Sequence, residues 1–452
     1  MIPAFAPANK SDPAPRADLY ALYLVAVLIV AYTLSYVDRS ILTLMVGPIR
    51  ASLNISDVQL SLLHGLAFAV FYTIVGIPIG RLVDQKRRTT IVAIGVALWS
   101  LATAACGLAN SFIAMFIARI CVGVGEAALS PAAYSMLADQ FDGKKLVRAL
   151  SFYQSAIYLG PAIATLAGGV MLGHLSPLDT ALGHFEPWQQ VFILVGLPGL
   201  VVTVLVATLR EPARRGVTAG AEAPSFRAVL AQVAHHRGAY GLLILGLCCQ
   251  SVMWNGSTAW IPTHFMRTFG WSPSEVAWAY GPVIALAGTC GGLFGGWLAG
   301  WMRDRGWRDA NVRIGMIAAM TALPFIVAAP LVASPRLSLS LVAGFLFCGA
   351  MPYGGAAAAL QEITPNRMRG QVSAIYLFWL NLAGIGLGAT VVALVTQGVF
   401  EGDLGVSPAI ATVAGAAAAL SALVLSLCLA PYRRAIEDLE AAQLDRPATV
   451  PV

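Results

Sequence analysis

Apolar stretches of twenty to thirty residues recur along the whole chain, each closed by a short cluster of charged or turn-forming residues. Runs of about 20 apolar residues read as membrane-spanning helices. The pattern predicts twelve: 20–46, 58–83, 89–109, 111–138, 148–172, 188–209, 239–265, 275–302, 312–332, 337–361, 370–397 and 407–430. They are numbered spans 1 to 12 below. Twelve is even, so both termini lie on one side.

Charge decides which side. The tail before span 1, the 2–3, 4–5, 8–9 and 10–11 loops, the segment between spans 6 and 7 and the C-terminal tail carry nearly all the Lys and Arg, whereas the opposite loops hold only Arg50, Arg267 and Arg336. Positive loops stay in the cytoplasm, so both ends are predicted there. Only 11% of the 452 residues are charged, against roughly 25% in soluble domains. The proline-rich first twenty residues lack the charged start and cleavage site of a secretory signal, and the first run is read as a permanent span. The expected organisation is a tail (1–19), a six-helix bundle (20–209), a linker containing an amphipathic helix (210–238), a second bundle (239–430) and a tail (431–452).

Several function classes drop out. The basic residues are dealt among loops and form no aromatic-laced patch, so nucleic acid is not an expected partner. The seven cysteines fall inside apolar runs and the six histidines are scattered, so neither a metal nor another cofactor is expected. There is no nucleotide loop, no HExxH and no pair of catalytic carboxylates, which argues against an enzyme. A gradient is the remaining energy source. The expected partners are the lipid bilayer, protons and a small amphiphilic or anionic substrate, handled by a monomer; in a bacterium the site would be the inner membrane.

The chain also repeats itself. GRLVDQKRR at 80–88 closes span 2 and GWMRDRGWR at 300–308 closes span 8, half a chain apart. Duplicated six-span units are a common transporter plan, with the site between the halves. The first copy resembles the signature loop of the major facilitator superfamily, although Gln85 and Arg87 stand where a basic residue and a glycine are usual. RICVGVGEA at 119–127 resembles the pattern of that family's span 4. Together with SYVDRSIL at 35–42 it resembles the spinster branch, which moves sphingolipids and lysophospholipids; the Y-x-D-R of span 1 also resembles organic-anion:proton symporters. The resemblance implies an all-α fold of two pseudo-symmetric six-helix bundles and alternating access. Charges at the cytoplasmic span ends suggest a latch: Asp84 at the end of span 2, placed to receive a helix N-terminus, Arg88 paired with Asp139, and a pseudo-symmetric counterpart of Asp304, Arg313 and Glu362; the resemblance supports the gate role of Asp84 and Asp304.

Asp38, Arg39, Arg119 and Glu126 lie where charge is expensive. At 1.5 Å per residue, Asp38 is roughly 15 Å and Arg119 roughly 12 Å below the outer face, with Glu126 about 10 Å further in on the same face of span 4. Each costs about 2.5–3.5 kcal/mol to insert, and such residues are functional by default. Arginine stays charged, so Arg39 and Arg119 are expected to hold an anion and relay charge while Asp38 and Glu126 carry the proton. With Arg39 beside it and Arg119 opposite, Asp38 is expected to be the more acidic, and Glu126 the easier to protonate. The second half has no deep charge. It offers Gln250, Trp254, Asn255, Tyr353, Trp379 and Asn381, which with Tyr36, Gln154 and Tyr158 are the expected cavity lining. One charged and one apolar wall suit an amphiphile. The expectation is proton-coupled transport of an amphiphilic lipid, with symport of a small organic anion or efflux of drugs as alternatives. Glycines every four residues in span 8 (Gly288, Gly292, Gly296, Gly300) mark an expected close seam with span 5.

Overall fold

The computed structural model describes residues 15–141, 143–181, 183–214, 225–365 and 368–444; the tail ends and the middle of the linker lie outside them. Twelve helices are long and apolar enough to cross a membrane: Leu19–Leu44, Asp57–Gly76, Arg88–Cys106, Phe112–Gln140, Arg148–His174, Pro187–Ala207, Arg237–Phe269, Pro273–Asp304, Ala310–Ala328, Pro335–Glu362, Arg369–Phe400 and Asp403–Ala441. They form the all-α, two-bundle architecture expected, because lipid offers no partner for backbone N–H and C=O groups and each span must satisfy its own. The five even-numbered spans from 2 to 10 enter from the outer face behind a cap. Ser111, Ser272 and Ser334 accept backbone N–H bonds from Ala114, Glu275 and Leu337, and Ser56 and Glu186 sit in capping boxes. Those caps satisfy N–H groups that a helix start leaves free.

Several spans are not uniform. Span 1 tightens into a 3-10 turn at Ile41–Leu44, span 2 contains a π turn at Leu62–Leu66, and span 11 contains two, at Leu382–Leu387 and Thr396–Phe400. Span 4 is interrupted between Glu126 and Leu129, immediately after its buried acid. Such irregularities cluster at functional sites. The π turns Leu62–Leu66 and Leu382–Leu387 meet across the halves: a side chain at Gly65 would collide with the carbonyl of Ile385.

The packing defines the conformation. On the outer side one apolar cluster runs through both halves, from Ile41, Leu44 and Leu63 to Met253, Trp260 and Val392. Toward the cytoplasm the core separates into one cluster of first-half residues around Trp99 and Met136 and others of second-half residues around Tyr240, Tyr432 and Ile314. Among the described residues, every ion pair joining the halves is also on the outer side. The arrangement is inward-facing.

The linker helix Phe226–His235 buries Val229 in the cytoplasmic core of the second half. On the outer face a hairpin pairs Leu178–Thr180 with Gly183–Phe185. His184 there lies 2.7 Å from Asp179 and 3.3 Å from Glu186. Its hydrogen bond to Asp179, seconded by Glu186, raises its pKa above the ordinary histidine value. A raised folded pKa stabilises below the unfolded value, about 6.5, and that contribution is lost as pH rises through the folded value. The hairpin is therefore expected to loosen above neutral pH, read as faster amide exchange at 178–185 at pH 8 than at pH 5.5 after correction for intrinsic rates; a hairpin more protected at pH 8 would contradict it.

Candidate functional site

Span 1 presents Ser35, Asp38 and Arg39 to the interior of the first half, and span 4 presents Arg119 and Glu126. Beside the cluster, Gly123 and Gly125 let span 4 approach spans 2 and 3 closely. A side chain at Gly123 would meet the backbone of Phe68, and one at Gly125 would meet Trp99 and Gly95. Asp38, Arg119 and Glu126 are essentially inaccessible, at 0%, 1% and 1% exposure.

The four charges do come together, but with other partners than depth counting suggests. Glu126 pairs with Arg39, whose Nε lies 2.6 Å from Oε2, and Ser35 donates to the same oxygen at 2.5 Å. Arg119 donates to two backbone carbonyls, Leu63 O at 3.2 Å and Asp38 O at 3.1 Å. Neither oxygen of the Asp38 carboxylate has a hydrogen-bond partner; Thr103 of span 3 faces it, outside bonding geometry. The expectation that Asp38 is the arginine-held acid is corrected accordingly. Consecutive helix residues do not face one another. Side chains also lean toward the helix N-terminus, which in span 1 carries the long Arg39 side chain toward the cytoplasm, to the level of Ser35 and Glu126. Three aromatic rings surround the Arg39 guanidinium, Tyr36 at 4.9 Å, Phe68 at 4.5 Å and Tyr72 at 5.0 Å. Arg39 retains 15% side-chain exposure, so it is the charge of the cluster that a ligand can reach.

Of the expected lining, Tyr353 and Trp379 are 40% and 50% exposed, and Trp254 meets Tyr353 edge-on and Phe345 at a tilt. Asn255 and Asn381 are half-buried, although the Asn255 amide is turned back onto Ser251 O at 2.9 Å. Gln154 accepts from Tyr134 at 3.3 Å. Two residues are not lining. Gln250 is buried and donates to Gly315 O of span 9 at 3.0 Å. Tyr158 fills the span 5–span 8 seam, against Gly288 and Gly292. Further along that seam toward the cytoplasm, Gly296 and Gly300 meet nothing within 4 Å, as the opening of that side requires.

At the cytoplasmic ends, Arg88 does bond Asp139, and it also takes Glu211 at 2.6 Å and Pro212 O at 2.6 Å, so the linker's first residues are held to the first half. The side chain of Asp84 lies outside the described residues. The expected triad of the second half is not formed. Glu362 accepts from Asn311 at 2.8 Å and Tyr432 at 2.7 Å, with Arg303 at 3.5 Å, while Arg313 pairs with Asp309 at 2.7 Å and Asp304 is exposed. The left-handed turn at Gly306, with φ of 83°, redirects the chain before span 9. Arg313 then finds the aspartate one helical turn before it.

Of the charges that join the halves, the sequence reading has Arg50 and Arg267 only as outer-loop charges and does not single out Asp57 or Asp403. Arg267 at the end of span 7 makes a bidentate pair with Asp57 at the start of span 2, 2.8 Å on each arm, and Arg50 adds Asp57 at 3.2 Å and Asp403 at 2.8 Å. Asp57 and Arg267 have side-chain exposures of 2% and 11%.

Two helical bundles closed on one face, with a buried titratable cluster between their ends, define a secondary transporter. A model of the Major Facilitator Superfamily matches residues 28–389, and the chain belongs to that family. It is 27% identical over 423 residues to an MFS-type efflux pump of Mycolicibacterium smegmatis, covering 91% of this chain and 93% of the relative. It is 24% identical over 452 residues to a D-galactonate transporter of Escherichia coli, covering 95% and 99%. Among solved structures, an inward-facing, unoccupied bacterial homologue of the human lysosomal transporter spinster matches with a TM-score of 0.74 at 24% identity, over 97% of this chain and 100% of that one. The protein is thus a multi-pass integral membrane transporter with the spinster-like fold that the span 1 and span 4 motifs suggest, and not an enzyme.

Proposed function

We propose that the protein couples proton movement to transport of an anionic amphiphile. The observation that carries the reading is the inequality of the two buried acids: Glu126 has Arg39 and Ser35, and Asp38 has no donor. An enclosed carboxylate without a partner is held as the neutral acid, because burying an unpaired charge costs far more than burying a proton with it. With Asp38 neutral and Glu126 ionised, the cluster of Arg39, Arg119 and Glu126 carries one net positive charge, which a monoanion neutralises. Proton and anion then favour each other's binding, and linkage makes that preference reciprocal. Arg39 is the group the anion reaches, in competition with Glu126, and the rings of Tyr36, Phe68 and Tyr72 hold it in place meanwhile.

The rest of the ligand faces Trp254, Tyr353 and Trp379, an aromatic wall without charge, which favours a long apolar tail. A small sugar acid is the second reading, favoured by the end-to-end similarity to a D-galactonate transporter. Counterflow in proteoliposomes separates the two. Competition by micromolar lysophospholipid and none by millimolar galactonate is expected; the opposite order would select the sugar acid, and competition by neither would remove both.

A further inference from the structure

Two histidines are enclosed by the membrane part of the fold, and they differ. His264 of span 7 is fully buried with both nitrogens engaged, Nδ1 with Ser407 Oγ at 2.7 Å and Nε2 with Ser338 Oγ at 3.3 Å. It is a satisfied structural imidazole tying spans 7, 10 and 12. His64 of span 2 is half-buried, and its Nδ1 is enclosed with no hydrogen-bond partner.

The position of His64 is specific. It sits inside the π turn Leu62–Leu66. The carbonyl of its neighbour Leu63 accepts from Arg119, and the same guanidinium donates to Asp38 O. One arginine therefore clamps the turn carrying His64 against the turn carrying the unpartnered Asp38. On its other side His64 edges a small void between the halves, walled by Thr43, Ser61, Trp260 and Ala389. Ser61 is one helical turn inward of Asp57, and Trp260 two turns inward of Arg267, so the void lies directly beneath the outer ion pairs. Of the charged groups nearby, Arg119 from span 4 faces His64; Asp38 does not line the void, and its carboxylate lies behind the Arg119 clamp, toward Thr103 of span 3. Spans 7 and 11 contribute Trp260 and Ala389, which do not titrate. From outside inward the order is Asp57–Arg267, His64, Asp38.

We propose that His64 is the relay through which protons pass between the outer entrance and Asp38. When the outer ion pairs part, the void joins the outer water. The imidazole accepts a proton from a hydronium ion, which becomes water, and, once the outward opening admits water past the Arg119 clamp, passes one to the ionised Asp38 carboxylate, returning to its neutral form. One proton is moved and none is left on the ring. Imidazole suits the step because its unperturbed titration falls between pH 5 and 8. The assignment rests on the proton-coupled reading above.

The test is proton uptake by proteoliposomes loaded with a pH-sensitive dye, for the unmutated protein and for His64→Gln, beside substrate counterflow, which moves no net proton. The expected result is a fall of about tenfold or more in substrate-dependent proton uptake from the outer side, with counterflow within about twofold. Uptake by His64→Gln matching the unmutated protein across about pH 5 to 8 overturns the relay alone. No substrate-dependent proton uptake by the unmutated protein overturns the coupling reading, and the relay with it. Should His64→Gln lose counterflow as well, the nitrogen-15 spectrum of His64 in Asp57→Asn, the variant expected to open outward, decides: titration between about pH 5 and 8 supports the relay, and a ring neutral throughout overturns it.

Discussion

Asp57→Asn is expected to move the resting protein from inward-facing to outward-facing. Asp57 is almost fully enclosed and receives both arms of Arg267, so the substitution leaves that guanidinium between the halves with only the exposed Asp403, 3.8 Å away, as counter-charge. Removing one member of a buried pair costs about 3–5 kcal/mol, and every 1.4 kcal/mol is a factor of about ten in a two-state population. Since the pair exists only when the outer side is closed, nearly all of that cost falls on the inward-facing state. At the lower end of that range, which applies because Asp403 stays within 3.8 Å of Arg267, the shift is about a hundredfold. The contact of Arg50 with Asp403 contributes little beside it, because Asp403 is 63% exposed and surface pairs are worth about 0–1 kcal/mol. Spin labels on the outer ends of spans 1 and 7 should report a longer distance in Asp57→Asn and an unchanged one in Asp403→Asn. Equal distance distributions in all three proteins would remove the lock.

The second large effect concerns Asp38. Asparagine is a shape-matched stand-in for the neutral acid, so Asp38→Asn is expected to keep anion binding and lose its dependence on protons. For the unmutated protein, a one-proton linkage weakens anion affinity up to about tenfold per pH unit once Asp38 begins to ionise. The variant should give a flat affinity profile over the same range, at the level the unmutated protein reaches in acid. A tryptophan-fluorescence titration at several pH values measures this. An affinity in Asp38→Asn that still falls with pH as in the unmutated protein would assign the proton elsewhere.

The spans were legible because twenty-residue apolar runs have one solution in lipid, and the inside–outside bias of Lys and Arg needs no tertiary knowledge. The four buried charges were legible for the opposite reason: they violate that pattern. Their pairing was not. Counting 1.5 Å per residue locates backbones, whereas Arg39 reaches along its helix to Glu126, one level deeper than its own Cα. The outer lock was invisible because Asp57 and Arg267 are 210 residues apart, and each on its own is an ordinary interfacial charge. The π turn that displays His64 has no compositional mark either: LLHGL reads as plain helix. Arg88 with Asp139 came through because both charges sit at the cytoplasmic ends of their spans, where position alone suggests the pair. The second-half triad failed because pseudo-symmetry carries no information on the Gly306 turn or on Tyr432, which takes Glu362 instead.

The central claim is that Asp38 carries the proton whose passage drives the substrate. Its most direct test is a pH gradient imposed on proteoliposomes containing the unmutated protein or Asp38→Asn, with accumulation and counterflow of the same labelled substrate followed side by side. The account predicts gradient-driven accumulation by the unmutated protein alone, with counterflow in both. Accumulation against a gradient by Asp38→Asn to the level of the unmutated protein would contradict it.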